Sequence, residues 1–178
     1  WGGYKYRMHQ LTSAVGRVQL KHYRERMQEI LRAMNYFWDL LEGVPGIQAH
    51  RPAKDSGSTM GGWYAPRGIY RADELGGLPI SRFAEAVRAE GGVCSVRNRP
   101  GLHEHPIFND ADIYGHGQPT RIANSDRDLR QPHGSLPVTE AEIERVYSIP
   151  WFKHYRPEVI QQHAAAYRKV AENAEQLL

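Results

Sequence analysis

One apolar stripe near the start of the chain sets the strongest limit on the fold. Apolar residues recur at steps of three and four from Leu11 to Leu41, which is the spacing of one face of an α-helix. Gly43 and Pro45 then end the pattern. A helix over residues 10–42 would be roughly 50 Å long, which exceeds the roughly 30 Å width of a small domain. Because the stripe keeps no clean heptad, we predict a helix that leaves its own domain and packs against another domain or subunit.

The pattern changes after this helix to short strands and a second helix. Residues 47–50 and 62–70 predict two strands. We expect the second of them at a sheet edge, because Pro66 cannot donate a hydrogen bond to a ladder. A helix over 79–91 and a strand over 93–97 follow.

The last third of the chain begins with a long segment of little periodicity. Residues 98–135 are predicted to be irregular, and irregular segments of that length in compact domains are usually functional or disordered. Thr139 and Glu142 have the spacing of a capping box and predict a helix through Val146. Pro157 starts the final helix, for which the periodicity predicts a buried stripe of Ile160, Ala164, Tyr167, Ala171, Ala174 and Leu178.

Composition excludes several classes of protein. The 178 residues are 40% hydrophobic and 24% charged, which is enough apolar material for a core. No apolar run approaches the roughly 18 residues that a membrane span needs. The single Cys94 excludes a disulfide framework and a Cys-based zinc cluster, and favours a reducing compartment. A net charge of +3 without a basic stripe disfavours nucleic-acid binding.

Two polar clusters are candidate sites. Lys5 and Arg7 lie among glycines just before the first helix, where side-chain charge and helix-starting amides could bind an anion. An ordinary solvated entry loop is the alternative. The second cluster is His103–Glu104–His105, with His116 and His133 further on. Its His-x-His pair, with Asp110 and Asp112 nearby, could bind a divalent metal. Since that spacing is generic and no second pair closes the site, we predict no metal, and an acid–base or structural role for the histidines.

The opening residues resemble those of a known family. Residues 3–20, GYKYRMHQLTSAVGRVQL, resemble the G-x-N/K-Y-R-M…L-x-A-A-x-G-x-x-Q-L stretch of the DegT/StrS-type sugar aminotransferases, which are fold-type-I enzymes dependent on pyridoxal phosphate. Further similar segments follow in the family's order: VPGI at 44–47, PGLHEHP at 100–106, and LPVTE…ERVYSIP within 136–150. The resemblance covers nearly the whole chain, but only the C-terminal portion of such an enzyme.

The resemblance implies an organisation and a set of site residues. Residues 1–43 would be a cofactor-side loop and an interdomain and dimer helix, and residues 44–178 a small α+β domain, with the large cofactor-binding domain outside this chain. In a homodimer, Lys5 would contact the partner's cofactor phosphate, although the family often has Asn there. Arg7 would anchor the loop or an anionic group, and His103 would approach the partner's substrate pocket.

The implied activity is transfer of an amino group from glutamate or glutamine to a nucleotide-linked keto-sugar or to a cyclitol. The enzyme is expected in the cytoplasm. None of the five lysines lies in the family's Schiff-base context, so that lysine is expected upstream and the chain alone is predicted to be inactive. Two alternatives stay open. The chain could be a non-catalytic dimerising module derived from the family, or part of a pyridoxal-phosphate-dependent sugar dehydratase in which a histidine replaces the lysine.

Overall fold

A computed structural model describes residues 7–96, 100–119 and 122–178 of the chain. It shows helices packed on a small antiparallel sheet, which confirms the predicted α+β class. The first helix, α1 (Gln10–Leu40), is 31 residues long and ends two residues before the predicted position. Its N-cap is His9, whose Nδ1 accepts a hydrogen bond from the backbone N–H of Leu11 at 3.2 Å.

Burial along α1 is uneven. Five side chains of its last turns belong to the core, on the side that faces α5 (Pro157–Glu172): those of Ile30, Ala33, Met34, Phe37 and Trp38. Leu11 and Val15 in the first half are each more than half exposed. The predicted apolar stripe is therefore covered only at its C-terminal end by the described residues. None of the helices in the described ranges is both long and apolar enough to cross a bilayer.

The sheet has four short strands in the order β1-β2-β4-β3. They are β1 (Ile47–Ala49), β2 (Arg67–Tyr70), β3 (Ser95–Val96) and β4 (Val146–Ser148), and every neighbouring pair is antiparallel. The last strand in the sequence thus lies between two strands that precede it by roughly 50 to 80 residues. This insertion of β4 joins the irregular segment and the C-terminal helix to the sheet.

The prediction that β2 is an edge strand is wrong. β2 pairs with β1 on one side and with β4 on the other. Pro66 does not prevent this, because it precedes the first strand residue and needs no donor there. Its carbonyl accepts a hydrogen bond from the backbone N–H of Ile149 at 3.4 Å.

Two predictions about the C-terminal third are also wrong in detail. The helix expected from a capping box at Thr139 is α4 (Pro137–Ile143), which begins earlier because Pro137 occupies its first turn. Val146, expected at the end of that helix, begins β4. Leu178, expected in the buried stripe, is exposed, because the chain leaves the α5 spiral for a 3-10 turn at Ala174–Leu177.

An aromatic cluster holds the elements together. Phe83, on α2 (Ile80–Ala89), has its ring centroid 5.0 Å from that of Tyr70 and 6.1 Å from those of Tyr147 and Tyr167. All four rings are buried. Aromatic pairs at such separations contribute about 0.5–1.5 kcal/mol each beyond the area that they bury. The cluster fixes the sheet against α2 and α5.

We expect Tyr147→Phe to leave the free energy of unfolding unchanged or to raise it by up to about 1 kcal/mol. The buried Tyr147 hydroxyl has no hydrogen-bond partner among the described residues, and such a group opposes folding. The Tyr70 hydroxyl instead donates to the carbonyl of Leu78 at 2.7 Å, so the matched Tyr70→Phe should lose about 1 kcal/mol. Denaturant titration of both variants checks this, and equal losses would contradict it.

Candidate functional site

The three predicted site residues fall in two parts of the chain. Lys5 lies outside the described residues. Arg7 is exposed and lies just before the N-cap of α1. His103 is the middle residue of a short 3-10 helix, Leu102–Glu104, and is buried.

His103 forms a buried imidazole–carboxylate pair with Glu140. Its Nε2 lies 3.0 Å from Oε1 of Glu140, and the two side chains are only 5% and 13% exposed. Glu140 also accepts hydrogen bonds from backbone amides, that of Gly134 at 2.9 Å to both oxygens and that of Leu136 at 3.3 Å to Oε1. One carboxylate on α4 therefore binds the imidazole and the loop that leads into α4.

A second pair lies beside the first. His133 Nδ1 is 2.7 Å from Oε1 of Glu104 and 3.6 Å from Oε2 of Glu140. Glu104 Oε2 accepts a hydrogen bond from the backbone amide of Gly101 at 3.1 Å. We refer to His103, Glu104, His133 and Glu140 as the His–Glu cluster. Of the four side chains, that of His133 is the one open to solvent, with 80% exposed.

In the His–Glu cluster, His133 and Glu140 each shift the pKa of the other toward its charged form. Burial raises the pKa of Glu140, but the hydrogen bonds from His103 and from the two backbone amides, with the charge of His133, outweigh it and leave the pKa below its usual range. The hydrogen bond to Glu104 and the charges of both glutamates raise the pKa of His133. Both shifts favour an ionised Glu140 facing a protonated His133.

The cluster also bears on metal binding. Nitrogen and oxygen atoms of His103, Glu104 and Glu140 lie within 4.8 Å of one another, so the fold brings in a carboxylate that the sequence spacing did not indicate. Asp110 and Asp112, which the sequence suggested, are not part of that group, the only one found within the described ranges. Hydrogen bonds alone account for the arrangement of the cluster, and the expectation that the chain holds no metal stays a prediction.

Gly101 and His105 complete the surroundings of the motif. A Cβ at position 101 would lie 2.5 Å from Nδ1 of His103, so a glycine is needed for the ring to lie there. His105 is the N-cap of α3 (Pro106–Asn109), where its Nδ1 accepts a hydrogen bond from the backbone amide of Ile107 at 3.2 Å. This gives His105 a structural role.

Sequence reasoning missed Glu140, although it grouped His133 with the His103 motif. The signal that could have found Glu140 is the LPVTE segment at 136–140, which was recognised as similar to the family's closing segment without a role for its glutamate. The contact between His103 and Glu140 spans 37 residues. No local periodicity reports a contact over that separation.

The fold matches that of solved aminotransferases. An aminotransferase from Psychrobacter cryohalolentis has a TM-score of 0.69 at 18% identity, over 97% of this chain and 41% of that one. DesI, solved with its TDP-sugar product, gives 0.65 at 20% identity over 96% and 37%. DesV from S. venezuelae, solved with a ketimine intermediate, gives 0.63 at 23% identity over 94% and 38%. This chain thus spans about two fifths of the length of these proteins, and identities this low show the fold alone.

The family is shown by the sequence itself. The model of the DegT/DnrJ/EryC1/StrS aminotransferase family matches residues 2–149. The chain therefore belongs to the DegT/DnrJ/EryC1/StrS aminotransferase family, which confirms the resemblance found in its opening residues. No curated protein matches it.

Proposed function

We propose that this chain is the C-terminal part of a pyridoxal-phosphate-dependent sugar aminotransferase. The whole enzyme moves an amino group from glutamate or glutamine to a keto-sugar or a cyclitol, and works as a cytoplasmic homodimer. The observation that carries the proposal is the family match over residues 2–149. DesI, a protein of the same fold solved with a TDP-sugar product, supports a nucleotide-linked sugar. When bound, pyridoxal phosphate supplies the electron sink for amino transfer.

The four lysines that the structure describes do not have the surroundings that covalent attachment of the cofactor needs. Lys54 and Lys169 pair with carboxylates at 3.1 Å and 2.7 Å, and Lys153 lies 4.7 Å over an indole ring. Lys21 is on the exposed half of α1. A Schiff-base lysine lies in a desolvated pocket or beside another cation, whereas the side chains of Lys54 and Lys169 are each more than 60% exposed. Arg7, exposed ahead of α1, fits a contact with a phosphate.

The exposed half of α1 supports the proposed assembly. Leu11, Val15 and Val18 present apolar surface that the described residues leave uncovered, and burial of such surface drives association. Residues 1–43 are accordingly proposed as the loop and helix that meet the cofactor domain and the second subunit. In that arrangement Lys5 and Arg7 contact the partner's cofactor phosphate.

We expect Arg7→Ala in the full-length protein to weaken retention of pyridoxal phosphate tenfold or more, because a hydrogen bond to a charged group contributes about 1.5–3 kcal/mol. Lys5→Ala should act in the same direction. Equilibrium dialysis, followed by the visible absorption of the bound cofactor, measures the effect. Arg82→Ala, at an exposed position of α2, is the control and should retain the cofactor normally. Normal retention by both the Arg7 and Lys5 variants would refute the phosphate role.

The reaction itself is tested on full-length protein supplied with glutamate or glutamine and nucleotide-linked keto-sugars. Mass spectrometry should detect replacement of the sugar carbonyl by an amine. Loss of water from the sugar without a gain of nitrogen would instead identify a dehydratase. Absence of bound cofactor and of turnover would identify a non-catalytic dimerising module.

A further inference from the structure

We propose that Glu140 is a positioning residue that sets the orientation and the hydrogen placement of the His103 imidazole. The inference rests on the proposed function where it concerns substrate, because His103 is expected beside the substrate pocket only through the family. The description of the ring itself does not depend on the family.

The hydrogen placement follows from the partners of Glu140. Its carboxylate receives hydrogen bonds from the amides of Gly134 and Leu136, which can only donate. The low pKa keeps the carboxylate ionised near neutral pH, and an ionised carboxylate only accepts. Nε2 of His103, 3.0 Å away, must therefore carry a hydrogen. In the neutral imidazole, Nδ1 is then the nitrogen that can accept a proton or a hydrogen bond.

The orientation of the ring is fixed from more than one side. Gly101 leaves room for the Nδ1 edge, where a Cβ would lie 2.5 Å from Nδ1. The Nδ2 of Asn109 donates to the backbone carbonyl of His103 at 2.7 Å, which holds the main chain. Since both members of the His103–Glu140 pair are nearly excluded from solvent, water competes little with their hydrogen bond. The hydrogen bond to Glu140 and the close approach of Gly101 together favour the observed orientation of the ring.

A carboxylate behind an imidazole affects what the imidazole can do. It selects one tautomer, orients the ring and raises the basicity of the far nitrogen. At metal-binding histidines, loss of such a carboxylate typically costs roughly 10–100-fold in metal affinity or activity. Glu140 also connects the two ends of the irregular segment, because its partners lie at residue 103 and at residues 134–136. The positions of these two parts relative to each other therefore depend on the same carboxylate.

Nitrogen NMR of histidine-labelled protein tests the ring state directly. In the unaltered protein, His103 should show a hydrogen on Nε2. Glu140→Gln removes the negative charge and one of the two acceptor oxygens, which weakens the hydrogen bond from His103. The His103 resonances should then move from those of the Nε2–H tautomer toward a mixture of the two tautomers. Glu142→Gln is the matched control on α4, because Glu142 is in an exposed ion pair with Arg145 and should leave His103 unchanged. An Nδ1–H tautomer in the unaltered protein, or an unchanged His103 spectrum in Glu140→Gln, overturns the proposal.

Kinetics of the full-length enzyme test the link to substrate. Glu140→Gln should raise KM for the keto-sugar roughly tenfold or more, with KM for the amino donor within twofold. Gly101→Ala, which displaces the ring from the other side, should give the same pattern and keeps the test independent of how well the Glu140 variant folds. Equal changes in both KM values in both variants would overturn the positioning role. An unaltered enzyme without amino transfer would refute the proposed function, while the NMR result would still decide the ring state.

Discussion

Phe37→Ala is expected to lower the free energy of unfolding of this chain by about 3–5 kcal/mol. The Phe37 ring is fully buried in the last turns of α1. Its centroid lies 5.3 Å from that of Trp38, 5.5 Å from that of Phe152 and 5.6 Å from that of Tyr167. Removal of the ring leaves a cavity between α1 and α5 that these large rigid neighbours cannot fill, so the loss of apolar burial and of packing add together.

Urea titration followed by circular dichroism measures this loss, since α1 and α5 supply much of the helical signal. Tyr23→Ala is the control, because Tyr23 is an aromatic residue of the same helix that is more than half exposed. It should change the free energy of unfolding by no more than about 0.5 kcal/mol. Similar losses in the two variants would show that α1 is not anchored through its C-terminal turns.

Gly68→Ala is expected to destabilise the chain by about 3 kcal/mol, at the upper end of the usual cost of overpacking. Gly68 lies on β2 directly opposite Tyr147 on β4. A Cβ at position 68 would lie 2.5 Å from the Tyr147 hydroxyl oxygen. The Tyr147 ring cannot move away, because it is fully buried beside Phe83 and Tyr167. The strain must then be taken up by the β2–β4 pairing at the centre of the sheet.

Two further variants separate overpacking from the general effect of an added methyl group. Gly16→Ala on α1 adds the same group where no atom lies within 4 Å and should stabilise the chain by up to about 1 kcal/mol. In a Tyr147→Leu background, Gly68→Ala should cost far less than in the unaltered chain, because the atoms that it meets are gone. Denaturant titration of the double-mutant cycle measures this coupling. Additive losses would contradict the contact.

The success of sequence reasoning followed the length over which each pattern repeats. The α1 stripe repeats over eight turns, and its end at Leu40 was predicted within two residues. β4 has three residues, too few for an alternation to be recognised, and its place between β2 and β3 depends on partners far along the chain. Pro66 misled the prediction for β2 because a proline excludes ladder donation only at the residue that it occupies.

In the candidate site too, the residue within a local motif was predicted and the residue that depends on distant contacts was not. His103 was found because it lies within a short contiguous motif similar to the family's. Glu140 was not, because its role arises only when α4 is folded against the 3-10 helix that carries His103. Glu104 and His133 were both visible as polar residues, but their ion pair spans 29 residues. Charged pairs at such separations are set by the tertiary fold and not by local spacing.

Because α1 is buried only at its C-terminal end, a small rotation at that end produces a large displacement at the other. Its C-terminal turns are fixed in the core, while the stretch from Gln10 to Arg26 extends beyond that core over about 25 Å. A tilt of that core by about 5° would therefore move the end of the helix nearest Arg7 by about 2 Å, a large part of one hydrogen-bond length. The anion contact proposed for Arg7 would thus depend on how the core is oriented.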